Sequence, residues 1–194
     1  VPVVQAFDDV PEDQWYAEFV NDLADQGIID GSAKTFRPGD KINRAEVAKM
    51  AVLMAGVAEE DLENPETPTF KDVPKTLWDG MGYKYVETAA KLGFVKGGEK
   101  NGVATGEFRP GDNINRAEFA KIMTLAGNGG DGLDQDAAAD VDLAETFLDG
   151  DTVPEWAAEF VKSVYFWSVV DGVTVEGGVE FQPASFTIRA AKQC

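Results

Sequence analysis

The pentapeptide INRAE stands at residues 42–46 and again at 114–118, each time six residues after the start of an FRPGD segment, at Phe36 and at Phe108. The echo is longer than the motif. Three stretches pass through the same series of signals: FDDVPEDQW from Phe7, FKDVPKTLW from Phe70 and FLDGDTVPEW from Phe147 open them, and FRPGDKINRAE, FRPGDNINRAE and FQPASFTIRAA lie near their ends. Phe36, Phe108 and Phe181 are spaced 72 and 73 residues apart, and Trp15, Trp78 and Trp156 mark a second shared position. One unit of this size has too little apolar face to make a core alone, so neighbouring units must cover one another. On this division a first repeat spans 1–57, an acidic linker 58–69, a second repeat 70–127, an acidic linker 128–146 and a degenerate or truncated third repeat 147–194.

Each unit has the same local grammar. The aspartate and proline before the tryptophan form an entry turn. Trp15, Phe19, Val20, Leu23 and Ala24 recur at i, i+4, i+5, i+8 and i+9, one face of a helix, and Trp156, Phe160, Val161, Val164 and Tyr165 repeat it. This spacing predicts that Trp15, Phe19, Val20 and their equivalents are buried. Gly27 is placed to stop the helix. In FRPGD, Pro38 fixes one backbone angle and Gly39 permits a positive φ after it. A second helix follows with Val47, Ala48, Ala51, Val52 and Ala55 on one face. The predicted fold class is all-α, built from three tandem helix-loop-helix repeats.

INRAE itself separates into two parts. Asn43 sits at an N-cap with Glu46 three residues on, and Asn115 and Glu118 repeat the pair. Such a capping box has the cap side chain accept from the third backbone N–H while the glutamate accepts from the cap's own N–H, and its loss costs about 1 kcal/mol. The arginine has no such role. At the first helical position its charge meets the positive end of the helix dipole, which disfavours it by roughly 0.3–1 kcal/mol. Arg44 and Arg116 both stand there, and Arg189 persists in the third copy although Ile188 and Ala191 replace the capping pair. Either the guanidinium joins the free helix N–H groups in an anion site and grips a carboxylate by two parallel bonds, or it forms a structural ion pair with a nearby carboxylate.

Composition excludes several classes. Acidic residues outnumber basic ones 35 to 17, a net charge of −18, which argues against a nucleic-acid partner. No apolar run approaches the ~20 residues of a membrane span. No signal peptide is visible, so a cytosolic or an already processed chain is expected. There is no histidine, and the single cysteine is Cys194, so an internal disulfide and a Cys/His zinc site are both excluded. The commonest general base is missing, and no phosphate loop or nucleophile elbow is present, so the chain is not expected to be an enzyme.

Units of the form F-x-D-V-P…W…G-I-I-x-G…F-R-P…R-A-E-x-A-K resemble S-layer homology domains. The resemblance covers residues 7–57, 70–127 and 147–194. The family usually carries threonine where this chain has Asn43 and Asn115, and either residue can cap. The resemblance implies a pseudo-threefold, spindle-like arrangement with grooves between units. It implies non-covalent anchoring of an exported protein to the cell wall of a prokaryote, outside the cell or in its surface layer. The implied ligand is an anionic secondary wall polysaccharide bearing ketal-linked pyruvate, or in other lineages modified peptidoglycan. The motif arginines, here Arg44, Arg116 and Arg189, would contact the acidic sugar. The alternative function is a structural subunit of a surface layer or filament, assembled with other copies of itself, with sugar binding lost.

Three further features stay open. The third copy has Gln182 in place of Arg37 and ends its second helix early, which puts the third groove in doubt. Trp15, Trp78 and Trp156 are candidates for stacking on sugar rings, yet each begins an amphipathic face and also suits a core. Between Ile122 and Val161 the chain carries ten acidic residues and no lysine or arginine. There Asp134, Asp136, Asp142 and Glu145 take positions 1, 3, 9 and 12 of a calcium-loop pattern that lacks its glycine at 6 and its ligand at 5. A solvated linker is the simpler account, weak calcium binding the alternative, and no other cofactor is expected.

Overall fold

A computed structural model describes residues 6–128 and 139–189. Among the described residues the chain is mainly helical. The first unit supplies α1 (Ala17–Asp25) and α2 (Arg44–Met54), and the second supplies α3 (Met81–Lys91) and α4 (Arg116–Gly127). The single-turn α5 (Leu143–Thr146) leads into the third, which supplies α6 (Ala158–Phe166). Two antiparallel hairpins correct the all-α expectation: β1 (Glu99–Lys100) with β2 (Val103–Ala104), and β3 (Val173–Val175) with β4 (Gly178–Glu180). Both fill the longer loops before Phe108 and Phe181. The first turns on Asn101 and Gly102, at φ of 54° and 78°. Two left-handed residues in succession are the signature of a tight hairpin turn, and Asn-Gly favours it.

The core forms between units. α2 packs on α3 and on α4, and α4 packs on α6. The second helix of the first unit and that of the second unit are thus each covered by the first helix of the next. Val47, Ala48, Ala51 and Val52 are wholly buried in these contacts, and each valine gains roughly 1.5–3 kcal/mol of transfer free energy. No second helix of the third unit falls among the described residues. α1 has no such cover there, and Phe19 is 59% exposed, whereas Tyr85, its counterpart on α3, is buried.

Backbone hydrogen bonds join the units in a ring. Ile42 N donates to Thr187 O (3.0 Å), Thr187 N to Ile114 O (3.0 Å) and Ile114 N to Ile42 O (3.1 Å). Each unit therefore donates to one partner and accepts from the other, and the triangle closes.

The FRPGD turn differs from its expected form. The left-handed residues are Arg37 (φ 59°), Arg109 (φ 59°) and Gln182 (φ 56°), and the glycine after the proline is not left-handed. An aspartate holds each strained residue. Asp9 accepts from Phe36 N (2.6 Å) and Arg37 N (2.7 Å). Asp72 accepts from Phe108 N (2.8 Å) and Arg109 N (2.7 Å), and Asp149 from Phe181 N (2.6 Å) and Gln182 N (2.7 Å). The third residue of each F-x-D opening thus ties the start of its unit to the turn before its motif arginine. Two charge-assisted bonds to one carboxylate offset the left-handed backbone.

The predicted burial holds for Val20, Val86 and Val161 and fails for the tryptophans. Trp15, Trp78 and Trp156 are 47%, 41% and 49% exposed. All three precede their helices, as the helix bounds show, and Trp78 sits in a tight turn at φ 48°. The period-3.6 rule does not extend to a residue outside the helix. In the second unit the indole lies against Gly82, where any Cβ would come within 2.9 Å of the Trp78 ring.

Candidate functional site

Both capping boxes are complete. Asn43 Oδ1 accepts from Glu46 N (2.9 Å) and Glu46 Oε2 from Asn43 N (2.9 Å). Asn115 Oδ1 accepts from Glu118 N (2.8 Å) and Glu118 Oε2 from Asn115 N (3.2 Å). The other first-turn amides are also taken. Arg44 N donates to Asp112 O and Ala45 N to Pro110 O, while Arg116 N donates to Ser185 O and Ala117 N to Pro183 O. The turn of the next unit therefore docks on each helix N-terminus. The expected free N–H groups are occupied, which leaves the guanidinium as the anion-binding group of the helix start.

Each arginine reaches into the next unit around the ring. Arg44 is 7% exposed; its Nε donates to Phe108 O (2.8 Å), its Nη1 pairs with Glu118 Oε1 (3.2 Å) and its Nη2 donates to Lys96 O (3.4 Å). Burial pushes its pKa below the ordinary arginine value, and the Glu118 charge pulls it back. Arg116 is 4% exposed, and its Nε donates to Phe181 O (2.6 Å). Its Nη2 is buried with no hydrogen-bond partner among the described residues. Burial pushes this guanidinium down to about 10, against the pull of Asp149. Arg189 Nη1 pairs with Glu46 Oε1 at 2.6 Å. The three guanidinium carbons lie 5.0, 5.1 and 5.3 Å from the ring centres of Phe108, Phe181 and Phe36. Two of the arginines thus have carboxylate partners, and Arg116 has no ion pair among the described residues.

Two grooves gather Trp78 with Arg189 and Trp156 with Arg44; Trp15 and Arg116 line neither. The first, about 190 Å³, is mostly apolar and brings Trp78 together with Ile28, Phe36, Glu46, Lys49 and Arg189. The second, about 420 Å³, brings Trp156 together with Arg44, Lys96, Arg109, Glu118 and Lys121. Each groove takes its tryptophan, its arginine and its glutamate from three different units. Residues 6–48 and 69–120 match the S-layer homology domain. The chain belongs to the S-layer homology domain family.

Relatives agree with this membership. The S-layer homology chain is 32% identical over 191 residues to the surface-layer 125 kDa protein of Lysinibacillus sphaericus, covering 94% of this chain and 14% of that one. It is 29% identical over 187 residues to S-layer protein EA1 of Bacillus anthracis, covering 96% and 19%. It is 28% identical over 169 residues to an endoglucanase of Bacillus sp. (strain KSM-635), covering 87% and 16%. The chain thus spans less than a fifth of these relatives' lengths. The family and these S-layer relatives put the chain among bacterial cell-surface proteins. No described helix is long and apolar enough to cross a membrane.

The sequence reading of the S-layer homology motif overlooked two lysines. Lys121 lies five residues beyond Arg116, on the same helix; its Nζ is 5.6 Å from the Trp156 ring centre and 5.4 Å from that of Phe160. Burial first, and Lys96 second, depress its pKa. Neither Lys96 nor Lys121 has an ion-pair partner among the described residues. The signal was present in the repeated R-A-E-x-A-K, whose lysine recurs as Lys49 and Lys121. Lys96 stands at the variable position of G-I-I-x-G, where the other units carry Asp30 and Asp171, so the repeat does not single it out and the fold brings it in.

The calcium candidates do not assemble among the described residues. Asp134 and Asp136 lie outside them. Asp142 caps α5, accepting from Ala144 N (2.9 Å) and Glu145 N (3.3 Å), and Glu145 sits in that turn. No cluster of three acidic, histidine or cysteine residues suited to a metal is found among the described residues.

Proposed function

We propose that this chain anchors an exported protein non-covalently to the cell wall, by binding an anionic secondary wall polysaccharide in the Trp156 groove. Family membership implies attachment to a cell-wall polymer, and the groove's chemistry suits one that is acidic. The observation that carries the proposal is charge: in a chain of net charge −18, Lys96 and Lys121 line one groove with Arg44, and neither lysine has an ion-pair partner among the described residues. Like charges crowd together at a cost unless an anion joins them. The half-exposed Trp156 adds a flat apolar face on which a sugar ring can lie. A carboxylate fits the guanidinium through paired hydrogen bonds, so a pyruvate ketal is the proposed acidic group. The proposed architecture is a three-pronged spindle with one groove between each pair of units, in accord with the closed hydrogen-bond triangle. The chain is proposed to be an anchor and not a catalyst.

Purified walls, before and after removal of their secondary polysaccharide, test the proposal by co-sedimentation. Binding is expected to untreated walls only and to weaken as salt rises. Equal sedimentation with both preparations rules the polysaccharide out. Self-association without wall binding favours the surface-assembly role.

A further inference from the structure

We infer that Glu118 is a built-in counter-carboxylate, which holds Arg44 until the ligand's own carboxylate displaces it. The inference rests on the proposed reading of the Trp156 groove as an acid-sugar site, and it adds a residue that sets the groove's affinity.

The argument begins with the arginine's full coordination. All three nitrogens of Arg44 are engaged, two by carbonyls of the second unit and Nη1 by Glu118 Oε1. Three of its five N–H donors are thus used, one on each nitrogen, so an entering carboxylate competes with these partners for a two-bond grip, and of the three only Glu118 is a side chain. Glu118 divides its oxygens: Oε1 faces Arg44 while Oε2 accepts from the cap amide of Asn115. Oε1 can leave Arg44 while Oε2 stays on the cap, so exchange calls for a side-chain rotation and leaves the helix start intact. The side chain of Glu118 is 30% exposed against 9% for Arg44, so the glutamate is the accessible member of the pair. Lys96 and Lys121 line the same groove with no ion-pair partner among the described residues, and the released carboxylate meets cations there instead of being stranded.

The other two arginines bracket this state. Arg189 is held by Glu46 at 2.6 Å, tighter than the 3.2 Å of Arg44 and Glu118. Arg116 has no ion-pair partner among the described residues, since Ala191 stands in the sequence where the other units carry Glu46 and Glu118, and its Nη2 is buried with no hydrogen-bond partner among them. The internal counter-ion is therefore a separable part of the motif: tight in one unit, longer in the second and absent from the third. An internal carboxylate that competes for the same guanidinium lowers apparent affinity in proportion to its occupancy.

Calorimetric titration of the full chain with a hexoside bearing ketal-linked pyruvate, and with the neutral parent hexoside, tests this. Glu118→Gln removes the charge while its amide oxygen can still accept from Asn115 N. It is expected to bind the acidic sugar at least about 5-fold more tightly than the wild type, the lower end of typical couplings between sites, with no change for the neutral sugar. Glu118→Ala loses the cap as well, and is expected to tighten binding in the same direction despite a lower melting temperature. If the wild type binds the acidic sugar and Glu118→Gln binds it equally or more weakly, the inference falls and the acid-sugar reading stands. If neither protein binds the acidic sugar, the groove reading falls and the inference falls with it.

Discussion

Arg189 of the third unit reaches Glu46 of the first, 143 positions earlier in the chain, at 2.6 Å. One glutamate thereby caps α2 and ties the end of the repeat array to its beginning. The same side chain thus serves a local and a global purpose, through different oxygens.

Glu46→Ala removes both functions and is expected to lower stability by about 2 kcal/mol, combining a lost cap with a broken, partly buried ion pair. Glu46→Gln keeps an acceptor for the cap and loses only the charge, so its loss is expected to be smaller. Urea midpoints compare the two. Identical midpoints for both variants would assign the whole effect to the charge.

Arg44→Ala is expected to cost roughly 2–4 kcal/mol, because it takes the donor away from the carbonyls of Phe108 and Lys96 and leaves a space beneath Phe108. This reverses the expectation drawn from the helix dipole, under which removing a charge from the helix start spares the fold. Arg44→Lys keeps the charge and loses the bond to Phe108 O, so it recovers only part of the stability. Thermal unfolding ranks the three proteins, and wall binding has to be measured well below each midpoint.

Trp156→Ala is expected to change stability by less than about 1 kcal/mol, since the indole is half exposed and its partner Lys121 is a surface cation–π contact. Wall binding is expected to fall by roughly 10-fold, the equivalent of about 1.4 kcal/mol. A large loss of stability with unchanged binding would return Trp156 to a structural role.

Asp9 makes stability depend on acid. Burial raises its pKa, but the amides of Phe36 and Arg37 outweigh it, so the folded value lies below the ordinary 3.8. A carboxyl with a depressed folded pKa stabilises fully above its unfolded value and loses that contribution as pH falls through the folded one. The first-unit staple is therefore expected to hold at neutral pH and to weaken below about pH 4. Asp9→Asn is expected to unfold more readily at pH 7 and to show a shallower acid limb. Parallel stability–pH curves for the two proteins would exclude this contribution.

The sequence by itself determined the units, the helix starts and the family. Those are local or repeated signals: Asn-x-x-Glu caps a helix through atoms three residues apart, and Gly27 and Gly93 end helices at φ of 71° and 77°. The Asn101-Gly102 hairpin was legible in the same way and was passed over. The Asp9, Asp72 and Asp149 staples stood in the quoted motif, but their partners lie 27 to 37 residues away, beyond any turn rule. Only the tertiary structure decided that the helix N-terminal amides are covered, that Trp78 and Trp156 face grooves, and that Lys96 joins Lys121. It alone decided which arginine keeps a carboxylate, because each guanidinium is paired, or left unpaired, by a different unit. A repeat specifies what each unit carries; which side chains meet depends on how the units close on one another, and burial between them makes that meeting count.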